Sequence, residues 1–225
     1  LQHPLDRRVI DGAEIEAALG DLAQLRIAVF AAYPYLYDGD AAYEAEYLKE
    51  FVEAPDAVLV AAFDGQRIVG AATASPMWAQ KAEFRAPFEQ RGIETDRLFY
   101  FGESVLLPEY RGHGIGHAFF DHREAQARKC GATAATFAAV IRPADHPARP
   151  EGYTPLDAFW TRRGYAPVPG FVTELAWKEH GEAEESLLSS RGSATLDERT
   201  NSITVHDTEE KIQKRVEFDL YYIEN

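Results

Sequence analysis

The sequence contains a single cysteine, Cys130, and a single methionine, Met77. One cysteine excludes an intrachain disulfide framework and a multi-cysteine zinc site. Basic residues are in deficit: 23 Lys and Arg stand against 37 Asp and Glu, a formal net charge of −14. That balance disfavours a nucleic-acid partner, because polyanion binding needs a basic surface. A cationic or neutral small substrate suits it better. Long apolar runs are also missing. Ala57–Phe63 is a run of seven, well short of the ~18 residues of a membrane span. Leu1-Gln2-His3-Pro4-Leu5-Asp6 lacks the basic and apolar regions of a signal peptide, so a cytoplasmic, non-membrane protein is expected. What is present, 46% hydrophobic and 12% aromatic residues, suits an ordinary globular core.

Apolar residues at Ile15, Ala18, Leu19, Leu22, Leu25, Ile27 and Phe30 predict a helix over Ala13–Ala32, ended by Pro34. Asp40 is placed to cap a second helix, Ala41–Glu53, stopped by Pro55. Ala57–Phe63 and Arg67–Ser75 read as strands around the Asp64-Gly65 turn. A short helix is expected within Lys81–Gln90. A strand follows at Arg97–Leu107, then a helix at Gly114–Lys129 and a strand at Ala132–Ile141. Thr154-Pro155-Leu156-Asp157 has the form of a capped helix start. That helix runs to Arg163 and stops at Gly164, and Tyr165–Trp177 holds the next strand. This order is a mixed α/β pattern.

The most informative stretch is Arg111-Gly112-His113-Gly114-Ile115-Gly116, between a strand and a helix. Glycines let the backbone approach a ligand and accept positive φ. A helix N-terminus offers unpaired N–H groups and partial positive charge, and Arg111 adds a cationic fork. The chemistry indicated is pyrophosphate binding; without a ligand, the same residues would be a plain tight turn. A P-loop is excluded, because Gly116-His117-Ala118 lacks the Lys and Ser/Thr. A dinucleotide fingerprint is excluded too: His117 occupies the third glycine position, and Pro108–Arg111 separate the turn from its strand.

The pattern R-x-x-G-x-G is matched in full, and over residues 9–179 the chain resembles the GNAT N-acetyltransferase superfamily. The resemblance implies a mixed, mainly antiparallel twisted sheet flanked by helices, in the α/β (α+β) class. It also implies acetyl-CoA as cofactor. The pyrophosphate would lie on Arg111, Gly112, His113, Gly114, Ile115, Gly116 and His117. The pantetheine arm would pair with a splayed strand at Val105, Leu106 and Leu107. In a later family helix, Tyr153 stands at the asparagine position and Trp160 at the position of a tyrosine that serves as general acid. Indole cannot donate that proton, so the role does not carry over to Trp160, although both positions would still flank the cofactor. Glu103, in an apolar strand where the family often places an acid, is the candidate base. A base matters because an amine with pKa near 10.4 costs about 4.6 kcal/mol to deprotonate at pH 7. The plainer reading of Glu103 is a strand-end acid paired with an arginine.

Tyr33, Tyr35, Trp78 and His146 are candidates for the acceptor site, with core packing or a surface loop as the plainer reading of each. His113 and His117 read as exposed helix-start residues, His122 as structural, and Cys130 as a small buried filler. No metal is expected. The acceptor is expected to be a small-molecule amine or peptide, attacked in a ternary complex. The alternative is a non-catalytic acyl-CoA-binding or sensor module. The oligomeric state, a homodimer included, stays open.

Residues 1–180 therefore read as the acetyltransferase domain and 181–225 as an atypical extension. His180–Ser186 reads as a linker. Two short strands are expected at Ser193–Glu198 and Ser202–Asp207, a helix at Thr208–Val216 and a strand at Glu217–Ile223. Short pieces resemble a secretin pore domain and a membrane sugar-phosphate transferase, which suggests a fused or engineered tail. In Glu217–Ile223, apolar residues alternate with polar ones. That strand is expected to dock beside the one ending near Trp177 and to close a sheet edge.

Overall fold

The computed structural model describes residues 4–177, 179 and 180, and the backbone of three further strands at 194–197, 202–205 and 214–224. Its elements are β1 (Leu5–Ile10), α1 (Gly12–Phe30), α2 (Ala41–Glu53), β2 (Val58–Asp64), β3 (Arg67–Pro76), α3 (Ala82–Glu89), β4 (Leu98–Leu106), α4 (Ile115–Lys129), β5 (Ala134–Val140), α5 (Asp157–Arg162), β6 (Ala166–Trp177), β7 (Ala194–Asp197), β8 (Ser202–Val205) and β9 (Lys214–Glu224). Seven strands form one sheet in the order β1-β2-β3-β4-β5-β9-β6. All neighbours are antiparallel except β4 and β5. The strands β7 and β8 pair with each other apart from it.

Helices cover both faces. On β2, Leu59 and Ala61 face the core under α1 and α2, while Val58, Val60 and Ala62 face the core under α4. This alternation is the period-two pleat of a strand buried on both sides. The helix α1 starts where the Asp11 side chain accepts from the Glu14 N–H at 3.1 Å. Asp40 does the same for α2, accepting from Tyr43 N–H at 2.9 Å. Both are the short acceptor side chains that an exposed helix start requires. The inner face of α4 carries Ile115, Phe119, Phe120 and Ala127, with Arg123 among them. Arg123 is 1% exposed, lies over Phe101 and Phe120, and donates to the carbonyls of Phe119 and Thr73. Burial pulls its guanidinium down to about 10.

The structure adds one element the sequence did not announce and corrects three expectations. The strand β1, with Asp6, Arg7 and Arg8, carries too much charge to read as a strand; it pairs as an edge, where charge is tolerated. The cap expected at Thr154 does not form: its hydroxyl bonds to the Gly152 carbonyl and α5 starts later, at Asp157, with no side-chain cap. Lys214–Val216, expected to be helical, belongs to β9, while 208–213 lies outside the described residues. Finally, β9 lies beside β6, the strand ending at Trp177, but closes no outer edge. It runs inside the sheet, from Ala134↔Glu224 to Val140↔Phe218 along β5 and from Ala166↔Tyr222 to Trp177↔Lys214 along β6. The segment 181–186 and the side chains behind the tail resemblances lie outside the described residues.

Candidate active site

The parallel ladder between β4 and β5 joins only Leu98–Phe101 to Ala134–Phe137. Both strands continue, so from Gly102 onward β4 has β3 on one side and a gap on the other. The peptide groups that face this gap follow from the register. Leu107 N–H donates to the Val69 carbonyl at 3.0 Å, and pairing is regular over Ser104↔Ala72, Val105↔Ala71 and Leu106↔Gly70. Peptide groups alternate along a strand, so the N–H groups of Val105 and Leu107 face β3, and those of Ser104 and Leu106 face the gap. Of the three residues expected to hold a pantetheine arm, Leu106 thus offers its N–H; Ser104 was missed. The Val105 side chain is buried in the core under α1 and α2.

Beyond β4 the chain makes a short 3-10 turn, Pro108–Tyr110, and enters the glycine turn. Gly112 and Gly114 have φ of +80° and +77°, a region that favours glycine. A Cβ built on either would meet no protein atom within 4 Å, so the space in front of the turn is open. Gly114 is the N-cap of α4 and no side chain caps that helix. Its first N–H groups therefore have no intrahelical acceptor and point at that space, as an anion site requires. Arg111 is exposed beside it. Ile115 contributes a buried side chain to the core, so only its backbone is available. Nδ1 of His117 lies 3.1 Å from an Arg163 nitrogen and its ring packs on Phe159, which ties α4 to α5. The residues present fit a pyrophosphate.

On the α1/α2 face of β4 lies a cavity of about 660 Å³. Its inner end holds an ionic cluster. Glu103 forms an ion pair with Arg26, and Arg26 also donates to Glu44. The three side chains are 9%, 10% and 1% exposed respectively. The Tyr37 hydroxyl donates to the other Glu44 oxygen at 2.8 Å. Burial works against the Arg26 charge, but Glu103, then Tyr47 and Glu44, outweigh it and raise its pKa above the ordinary value. Glu103 is aimed here by a bulge: Gly102 and Glu103 of β4 stand opposite the single residue Thr73 of β3. Glu103 N–H donates to the Thr73 hydroxyl at 3.3 Å. The plainer expectation for Glu103, a pairing with arginine, is thus what the structure contains.

Tyr35 lines the cavity. Burial, with Tyr153 and Glu103 adding, pushes its hydroxyl up to about 12. The other candidate acceptor residues are not among those lining the cavity. Tyr33 packs edge-on against Tyr153, with centroids 4.7 Å apart, and against His146. Trp78 is 44% exposed. Trp160 is partly buried and packs against the core on Phe137, with centroids 5.0 Å apart. His122 bonds to the Arg7 carbonyl. Arg142 donates to the carbonyls of Pro34 and Tyr35 and pairs with Glu179 at 2.6 Å, fixing the α1–α2 loop against the end of β5. Among the described residues, no group of His, Cys, Asp or Glu could hold a metal ion, and no helix is long and apolar enough to cross a membrane. Sequence reasoning missed Arg26 and Glu44. Both stand at apolar-face positions, Arg26 between Leu22 and Phe30 on α1 and Glu44 ahead of Leu48 and Phe51 on α2. A charge in an apolar stripe was the available signal.

Comparison with known proteins agrees with this geometry. Residues 23–151 match the family model "Acetyltransferase (GNAT) family". No curated protein matches the sequence. Among solved structures, an aminoglycoside 6'-N-acetyltransferase complexed with coenzyme A is similar in fold, with TM-score 0.54 and 13% identity, over 97% of this chain and 96% of that one. A GCN5-related N-acetyltransferase from Kribbella flavida gives TM-score 0.52 and 14% identity, over 98% of each chain. A polyamine N-acetyltransferase of Drosophila melanogaster gives TM-score 0.52 and 12% identity, over 99% of this chain and 100% of that one. The family match spans more than half of the chain, the fold neighbours span nearly all of it, and the protein belongs to the GNAT family of acetyltransferases.

Proposed function

We propose that the protein moves an acetyl group from acetyl-CoA to an amine of a small molecule or peptide, by direct attack in a ternary complex. One juxtaposition carries this reading: the glycine turn, the gap beside β4 and the carboxylate-floored cavity all meet at the C-terminal half of one strand. Two fold neighbours were solved with coenzyme A or acetyl-CoA, which supports the cofactor. When bound, acetyl-CoA supplies an activated thioester. The chain's own groups then divide the work. Arg111 and the N–H groups at the start of α4 hold the pyrophosphate. The gap-facing N–H groups of Ser104 and Leu106 bind the arm and polarise the acyl carbonyl. Glu103, ion-paired with Arg26, receives and orients the acceptor's ammonium and is the acceptor for its proton. Trp160 supplies no proton. A thiol near the free-cysteine pKa of about 8.5 leaves tolerably without an acid.

The test is thiol release from acetyl-CoA over a panel of amines, with the acetylated product identified by mass. Transfer to at least one amine is expected. Tight CoA binding with no transfer to any amine would contradict the reading in favour of a sensor.

A further inference from the structure

Resting on that proposed transfer to an amine, we infer that the acceptor is a dication, with a second positive charge held across an apolar spacer from the reacting nitrogen. The cavity lining combines a buried acidic cluster, a second and more exposed group of acids, and aromatic rings. At the inner end, Glu44 and Glu103 share one arginine, Arg26, in a cluster nine-tenths or more out of water. Two negative charges against one positive leave a net −1 there. Burying that charge is costly; the hydrogen bond from Tyr37 to Glu44 and the attraction of Glu103 to the buried Arg123 guanidinium offset part of it, but among the described residues Arg26 alone forms an ion pair with the two acids. An ammonium group arriving at Glu103 brings the cluster to neutrality.

The mouth repeats the sign. Asp38, Asp40 and Glu50 line it against one cation, Lys81. Lys81 sits over the Tyr47 ring, 5.7 Å from its centroid. Asp40 gives one carboxylate oxygen to the α2 cap, and Asp38 lies 3.4 Å from His180 Nδ1. The same lining includes the rings of Tyr35, Tyr47, Phe84 and Tyr100. Burial first, then Glu103 or its neighbours, holds the Tyr47 and Tyr100 hydroxyls above their ordinary range, so this belt stays uncharged. Aromatic walls suit a methylene or ring spacer and favour a nearby cation. A carboxylate at the far end of the ligand would meet like charge. The volume is that of an ordinary small-molecule site, about 300–1,000 Å³.

Calorimetric titration of the CoA-loaded protein with three five-carbon probes tests this: diaminopentane, pentylamine and aminopentanoate. Diaminopentane is expected to bind roughly tenfold more tightly than pentylamine, and aminopentanoate more weakly than either. The preference should shrink with added salt, because the mouth charges are exposed. Glu50→Gln, on the exposed face of α2, should cut the diamine-to-monoamine ratio several-fold, and Asp38→Asn with Glu50→Gln should cut it further, at unchanged circular dichroism. Equal affinity for diamine and monoamine, or no binding of either, would overturn the dication. Thiol release with the same probes is scored separately. Selective diamine binding without transfer would sink the acetylation reading and leave the dication site standing. Transfer to the monoamine with no diamine preference would do the reverse.

Discussion

Arg26 occupies a place in the apolar stripe of α1 where burial alone would favour leucine. It is there because two carboxylates from other elements converge on it, Glu44 from α2 and Glu103 from β4. Replacing it with methionine would strand both acids. Removing one partner of a buried ionic cluster costs about 3–5 kcal/mol, so Arg26→Met should lower the melting temperature sharply, read by differential scanning calorimetry. A variant that melts like wild type would show that the cluster stabilises nothing. Glu103→Gln keeps the shape and removes the charge. It should leave CoA affinity intact and reduce turnover by about 10²–10⁴-fold near neutral pH; wild-type turnover would take Glu103 out of the chemistry. Arg111→Ala removes a charge-assisted contact worth about 1.5–3 kcal/mol, so CoA affinity should fall roughly ten- to a hundredfold. Arg111 and Glu103 were legible in the sequence, one from its glycine neighbours and the other as an acid in an apolar strand. Their partners were not. Arg26 and Glu44 lie far from Glu103 in sequence, and only packing α1 and α2 on β4 brings the three together.

At the scale of elements, the site depends on two irregularities of β4: the bulge at Gly102–Glu103 and the early end of its ladder with β5. Gly102 is required by space. A Cβ there would stand 2.5 Å from the Thr73 hydroxyl oxygen, which is the acceptor for Glu103 N–H. Thr73 is itself buried, which limits the room it has to move aside. Gly102→Ala should therefore cost about 1–3 kcal/mol of stability and lower turnover by displacing Glu103, read by thermal melting and by thiol release. Unchanged values in both would show that the bulge can relax. The sequence announces neither irregularity, because a run such as Leu98–Leu107 looks the same whether its neighbour stays paired or parts from it. The helices α1 and α2 were legible for the opposite reason: the apolar spacing of both and the Asp40 cap of α2 are local, whereas the Asp11 cap of α1 emerged only from the structure. The Thr154 cap failed because its hydroxyl found the Gly152 carbonyl first.

Across the whole molecule, the sheet is continuous only through β9, which sits between β5 and β6. Its alternating pattern was visible in the sequence, but a period-two pattern names no partner, and an interior place with two neighbours cannot be told from an edge place with one. Deleting 214–225 should leave β5 and β6 with unpaired edges, giving a destabilised, self-associating protein by light scattering. Deleting 192–208, whose strands β7 and β8 pair with each other and, among the described residues, with no other strand, should be milder. Equal melting temperatures for the full chain and the 214–225 deletion, both monomeric, would show that β9 holds nothing together.

The most direct measurement of the central claim is calorimetric titration of coenzyme A into wild type and Gly114→Val. Gly114 has φ +77° and opens the uncapped start of α4 onto free space. A branched side chain there is strained and fills the place a pyrophosphate would take. Saturable binding to wild type, lost or weakened at least a hundredfold in a folded Gly114→Val, is the expected result. Equal affinity in the two proteins, or no binding to wild type, would contradict the assignment of this turn to the cofactor.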